Sequence, residues 1–202
     1  MSAQITLKIY RTNVYDEVAK ATDYTGAKLL GDDATARERI LVTDDELSDL
    51  ARFWDDAVLA ANESLKEMLV KGGSTQLTET VTLDQTHTIT GDKVQVDTST
   101  LPSDTTSAGT DSTSSDTLDA QTATVTRTAY VAVLEVSNAF DTNLTESVNT
   151  ALQGFFIASV IGQWFKLANK TEAADYFAQA AEMMKGAERL LYSRKKPTRP
   201  SA

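Results

Sequence analysis

The chain has 202 residues, with 29 acidic and 19 basic side chains, one histidine and no cysteine. That length suits one domain with a sizeable core, and the missing thiols exclude disulfide frameworks, thiolate metal centres and cysteine nucleophiles. A net charge of −10 argues against a body that wraps nucleic acid, because neutralising phosphates needs a basic face.

The N-terminus, "MSAQITLKIYRTN", lacks the basic start, apolar run and small-residue cleavage site of a secretory signal. "ITLKIY", residues 5–10, alternates apolar with polar and predicts a short strand. After it, Asn13 is placed to cap a helix from Val14 to about Leu30, weakened near its end by Gly26 and Gly31. A second helix follows. Thr43 and Glu46 have capping-box spacing, and Leu47, Leu50, Trp54, Val58, Ala61, Leu65 and Met68 recur at three- and four-residue steps as one apolar stripe. Lys71, Gly72 and Gly73 read as its last-turn base and stop. Continuous over 44–70, this helix is about 40 Å long.

The period then changes to two. In "LTETVTLDQTHTIT", Leu77, Val81, Leu83 and Ile89 share one face, with threonine at 78, 80, 82, 86, 88 and 90 on the other. Gly91-Asp92 reads as a turn and "KVQV" as a short return strand. From Asp97 to Asp119, 13 of 23 residues are Ser or Thr, so no core can form there and a flexible loop is expected. The strand "TATVTRTAYVAVLEV" closes this region, and its second half, apolar on both faces, predicts a central or covered position.

Two helices end the body. Asn143 and Glu146 repeat the capping-box spacing, and Val148, Leu152, Phe155, Phe156, Val160, Trp164, Phe165 and Leu167 describe a helix apolar almost all round. Its longest apolar run, "GFFIASVIGQWF", is well short of the roughly 20 residues a membrane span needs. A short Asn169-Lys170 connection predicts an antiparallel return helix over about 171–192, with Ala173, Phe177, Ala180, Met184, Ala187 and Leu191 on one stripe. The expected fold class is α+β, mainly α: a bundle of about four helices with a Thr-rich β insertion between the second and third long helices. Residues 1–73 form the N-terminal half of the bundle, 74–137 the insertion with its loop at 97–121, and 138–193 a helical hairpin completing it. The candidate bundle core is Leu50, Trp54, Val58, Leu152, Phe155, Trp164, Phe177 and Leu191.

Chemistry is sparse. Carboxylates at 44, 45, 49, 55 and 56 include an i, i+4 pair, Asp45 and Asp49, that can share a divalent cation, and a metal-dependent enzyme using Asp45, Asp49 and Asp56 is the rival reading from a different class. The competing explanation is that Asp44 and Asp45 complement the helix dipole while the others line its wet face. His87 has no nucleophile motif beside it, and Gly72-Gly73 lacks the surroundings of a phosphate loop. "NLT" and "NKT" have the form of glycosylation acceptors but sit at a helix start and between helices, as caps and turns do. A binding module using the threonine sheet as a platform is a third possibility, for which an adhesin would need a secretion signal. No catalytic residue, metal ligand or cofactor is assigned.

The chain's ending differs from its body. Arg194, Lys195, Lys196 and Arg199 put four bases into the last nine residues, leaving 15 bases against all 29 acids before them. Pro197 and Pro200 forbid further helix and favour an extended course. A solubilising terminus is the plain explanation. A cationic, proline-stiffened segment beyond a packed helix also suits insertion into an acidic groove on another molecule.

Three stretches, "VYDEVAKATDYTGAKL", "DDELSDLARFWDDAVLAANESL" and "LQGFFIASVIGQWFKLANKTEAADYFAQAAEMMKGAERLLYSRKKPTRP", resemble small virion proteins of tailed bacteriophages and prophages of Bacteroides-type bacteria, in the head-to-tail connector or adaptor group. The resemblance spans both helical ends and weakens through 74–128. It implies a non-enzymatic subunit, assembled in the host cytoplasm into a ring of about twelve copies in the virion neck. DNA would pass through the ring without sequence-specific binding and without a membrane. It also implies that the arm formed by Arg194, Lys195, Lys196, Pro197, Arg199 and Pro200 docks on the portal protein, and that the β insertion meets a downstream tail or neck protein or neighbouring copies. An acidic body fits a channel along which DNA slides. The long Thr-rich insertion departs from the simplest connectors and keeps open another neck or tail-completion role, as terminator or stopper.

Overall fold

Strand β1 (Ser2–Tyr10) alternates as its sequence predicts, with Ile5, Leu7 and Ile9 buried. The computed structural model describes residues 2–30, 42, 46–82, 94–95, 122–168 and 170–195. Helix α1 (Arg11–Leu30) follows β1 without a break and buries Thr12, Val14, Tyr15, Val18 and Thr22. Asn13 therefore lies inside the first turn and does not cap it. Tyr10 is still paired with Ala129, so the chain passes from ladder to helix with no extended residue left for a cap at 13.

Helix α2 (Leu47–Leu65) buries Leu50, Phe53, Trp54, Ala57, Val58, Ala61 and Leu65. It is shorter than its apolar stripe suggests, about 28 Å for 19 residues. A tight turn, closed by Met68 N–H on the Leu65 carbonyl at 2.9 Å, sends the chain into β2 (Leu69–Thr82), so Met68 belongs to the turn and Gly72 and Gly73 to the strand. Gly72 is needed there for a different reason from stopping a helix. A Cβ at 72 would collide with the Asn62 side chain of α2 and press on Leu69, so glycine lets strand and helix approach. The N-cap position is Glu46, which makes no side-chain cap hydrogen bond; Thr43 lies outside the described residues.

β2 pairs antiparallel with β4 (Thr122–Ser137), whose other edge pairs with β1 and with the two-residue β3 (Val94–Gln95). β4 is the central strand that its two-faced apolar pattern predicts: Ile9 and Ser74 flank Tyr130, and Leu7 and Gly72 flank Ala132. Tyr130, Ala132, Leu134 and Val136 are all buried. Leu83, His87, Ile89, Gly91, Asp92 and the loop at 97–121 lie outside the described residues.

A short 3-10 turn (Thr142–Leu144) leads into α3 (Thr145–Ala168), followed by α4 (Lys170–Leu191). The Asp141 carboxylate accepts the Asn143 N–H at 3.2 Å, so Asp141 makes the cap and the expected Asn143–Glu146 box does not start the helix. α3 buries residues around much of its circumference, as its composition predicts, although Leu167 at its end is 63% exposed. On α4 the stripe Ala173, Ala180, Met184, Ala187 and Leu191 is buried. Phe177 is the exception in the expected core, at 37% exposure. Its ring lies against Gly162, where a Cβ would meet it at 3.0 Å, so the glycine permits the contact the ring has.

The helices and the sheet share one core. The mainly helical α+β reading holds, but there is no boundary at residue 73: β2 crosses it, and the N-terminal β1 supplies one neighbour of β4. At the centre Phe156 lies 4.8 Å from Trp54, 5.1 Å from Tyr130 and 5.5 Å from Phe155, ring centre to ring centre. The polar ends of its neighbours are satisfied. Trp54 Nε1 donates to Ser74 Oγ at 3.1 Å and the Tyr130 hydroxyl donates to Asn62 Oδ1 at 2.9 Å, as buried polar atoms require.

Burial pushes the Tyr130 phenol up to about 12, and burial together with its 2.6 Å hydrogen bond to Glu79 does the same for Tyr10. Both phenols hold their protons more tightly folded than unfolded, where they titrate near an ordinary value of about 10. The stability they contribute is therefore complete below about pH 10 and lost as pH rises towards 12. Urea unfolding over roughly pH 9 to 12 should show a midpoint falling with pH, and Tyr130→Phe should flatten that fall. An unchanged slope in the variant would show that Tyr130 is not held in this way.

Candidate functional site

The last turn of α4 sets where the C-terminal arm begins. Leu191 is buried, and beyond it Ser193 N–H closes on the Leu190 carbonyl at 3.0 Å while Ser193 Oγ donates to the Arg189 carbonyl at 3.1 Å. The helix is thus finished by its own serine. Arg194 then forms an antiparallel bridge with Phe140, and Lys195 N–H donates to the Ala139 carbonyl at 2.7 Å.

That bridge fastens the first two residues of the expected portal-docking arm, Arg194 and Lys195, to their own subunit. Ala139 sits in the turn after β4, and its carbonyl is accessible to the departing chain, so the first two arm residues fasten to their own subunit by main-chain contacts. Their side chains stay exposed. With Asp141, Asn143, Leu144 and Ser193 they line an open pocket of about 660 Å³. Lys196, Pro197, Arg199 and Pro200, the rest of the expected partner-binding arm, lie outside the described residues.

Nearby, the Tyr192 hydroxyl donates to Glu67 Oε2 at 3.3 Å, and the negative charge of Glu67 pushes the phenol's pKa up. A carboxylate from the turn after α2 therefore stands beside the root of the basic segment. Neither Glu67 nor Ala139 was legible as part of a site, since a lone acid after a helix and an alanine in a turn carry no pattern.

Seven of the eight expected core residues, Leu50, Trp54, Val58, Leu152, Phe155, Trp164 and Leu191, are buried as predicted, and they form a scaffold with no chemical site among them. Along the acidic helix, Asp49 pairs with Arg52 at 3.3 Å, and Asp55 and Asp56 face outward. Asp44 and Asp45 lie outside the described residues. Among the described residues no three His, Cys, Asp or Glu side chains are gathered as metal ligands would be, and no helix is long and apolar enough to cross a membrane.

No family model matches this chain, and neither the curated proteins nor the solved structures contain a match to it.

Proposed function

We propose that the chain is a non-enzymatic, ring-forming subunit of a phage neck, a connector that joins portal to tail and lets DNA pass along an acidic channel. The observation that carries this reading is the contrast at the end of α4. A chain of strongly negative balance ends in a basic segment whose root is held in place by the Phe140–Arg194 bridge and the Ala139–Lys195 hydrogen bond. A fixed root gives a projecting segment a defined direction, which suits an arm that must find a groove on the portal.

A second feature supports contacts beyond the subunit. β1 covers β4 only as far as Ala129, whereas β2 continues beside Thr122–Thr128. Seven residue pairs at about 3.3 Å each extend the β2–β4 ladder roughly 23 Å past β1, with β3 beside β4 at Thr124 and Val125. Within it threonines face one another in register at 78/126, 80/124 and 82/122, with the Thr78 and Thr126 hydroxyls 3.3 Å apart. Such a ribbon suits a downstream neck or tail protein or an adjacent copy. It also favours the second reading, in which the same subunit occupies a neighbouring tail-completion position. Removing residues 196–202 and scoring incorporation into particles tests the arm's part in either reading.

A further inference from the structure

β2 is an edge strand, the last in the order β1-β4-β2. The Glu135 N–H of β4 points across to the Met68 carbonyl at 2.7 Å. Every second β4 residue from there, Val133, Val131 and Ala129, therefore turns its main-chain groups to β2, opposite Lys71, Gly73 and Thr75. The intervening β2 residues, Gly72, Ser74, Gln76 and Thr78, turn theirs away from the sheet. Among the described residues the outward groups of this stretch have one partner, the Asn62 amide, which reaches the Gly72 carbonyl at 3.5 Å. The opposite edge is less open, because the Lys8 N–H of β1 donates to Asn149 Oδ1 of α3 at 3.1 Å.

An open edge is a template for another strand, and sheets usually protect it with charges, prolines or bulges. β2 carries no charge and no proline between Lys71 and Glu79, and its register shift comes before Lys71. Gly73 is a second sign. A Cβ there would meet nothing within 4 Å, so no described neighbour requires glycine, and a glycine inside a strand commonly marks close approach by another chain.

We propose that β2 pairs antiparallel with β2 of a second copy about a two-fold axis at Thr75, joining the two sheets in the order β1-β4-β2-β2-β4-β1. Outward-turned residues must face outward-turned residues, so the possible registers are few. One of them sets Lys71 opposite Glu79 at both ends; Gly72 then faces Thr78, Gly73 faces Leu77, Ser74 faces Gln76 and Thr75 faces its own equivalent. Lys71 and Glu79 are the only charges in residues 71–79 and share one face of the strand, so the edge is complementary to itself. Lys71 is exposed and has no ion pair among the described residues. Glu79 receives Tyr10 and Lys8 on Oε1, which leaves Oε2 for Lys71 of the second copy. The half-buried Leu77 gains the open space over Gly73 of that copy. Such a contact is isologous and closes on itself, so it cannot propagate a ring. It goes beyond the function proposed above and rests on the sheet edge alone: in the free chain it covers an edge that would otherwise invite aggregation.

Sedimentation of the full-length chain over roughly 1–100 µM should show a monomer–dimer equilibrium. Lys71→Glu and Glu79→Lys should each weaken the dimer about tenfold, since each sets like charges opposite one another at both ends. An equal mixture of the two variants should regain the wild-type affinity, because a mixed pair has opposite charges at both ends again. Glu79→Lys also removes the Tyr10 hydrogen bond, so circular dichroism checks its fold, and a second variant is independent of it. The chain has no cysteine, and directly opposed residues at a non-hydrogen-bonded position are close enough for a disulfide. Thr75→Cys should therefore oxidise to a covalent dimer about tenfold faster than Thr6→Cys on the same sheet face. A chain still monomeric at about 100 µM, or a dimer in which position 75 crosslinks no faster than position 6, would overturn the proposal. With both charge variants folded, a mixture that associates no more tightly than either alone would overturn it as well; if Glu79→Lys does not fold, crosslinking at 75 decides. Portal and tail components are absent from these experiments, so their outcome leaves the ring reading as it stands.

Discussion

Phe156→Ala should lower the unfolding free energy by about 3–5 kcal/mol, the usual cost of deleting a buried phenyl ring and leaving a cavity. The ring is fully buried and touches three other aromatic rings, Trp54 from α2, Tyr130 from β4 and Phe155 from its own helix. It is thus the point at which helix, sheet and helix meet, and relaxation is restricted because Trp54 and Tyr130 are each tethered by a hydrogen bond, to Ser74 and Asn62. Domains of this kind have only about 5–15 kcal/mol of stability in total, so the variant should be marginal at 37 °C. Urea unfolding followed by circular dichroism measures it. A loss below about 1 kcal/mol would mean that the cluster is not the centre of the core.

The second large effect is on assembly. A chain ending at Lys195 keeps the Ala139 hydrogen bond and the Arg194 bridge, so its stability should stay within about 0.5 kcal/mol of the full chain. Its incorporation into particles should nonetheless fall at least tenfold. In the proposed ring each arm contributes modestly, but many arms would act at once, so the loss in one copy would be multiplied around the ring. Purified truncated and full-length chains offered to the same portal-bearing particles, with bound copies quantified by gel, give the comparison. Normal incorporation of the truncated chain would remove the arm from the account.

Much of the fold was legible in the sequence where one physical signal dominated. The two-faced apolar half of β4 predicted a central strand, and the three- and four-residue steps of α2 and α4 predicted buried stripes that the structure bears out at Leu50, Trp54, Val58, Ala180, Met184 and Leu191. What failed was punctuation that tertiary contact decides. Gly72 looked like a helix stop because glycine commonly is one, yet its smallness serves the Asn62 contact across the helix–strand interface. Asn13 and Asn143 have capping chemistry, but strand pairing at Tyr10 and the Asp141 cap preempt them. Phe177 fits the period of its stripe, yet its ring, lying against Gly162 of the facing helix, stays 37% exposed.

The arm was legible as charge and proline but not as geometry. Nothing in "LLYSRKKPTRPSA" indicates that Lys195 meets Ala139, a contact between residues 56 positions apart in sequence. The separation of 1–73 from 74–137 failed for a related reason. The pairing of β1 with β4 joins segments more than a hundred residues apart, and strand partners at that distance leave no local trace.

The central claim is that this subunit assembles into a closed ring. Native mass measurement of the purified chain mixed with its portal, with electron images of the same sample, tests that most directly. The account predicts one dominant species whose mass is a fixed multiple of the 21.9 kDa chain added to the portal, with annular views. A mixture containing only the portal and single free subunits, at concentrations far above those in an infected cell, would contradict it.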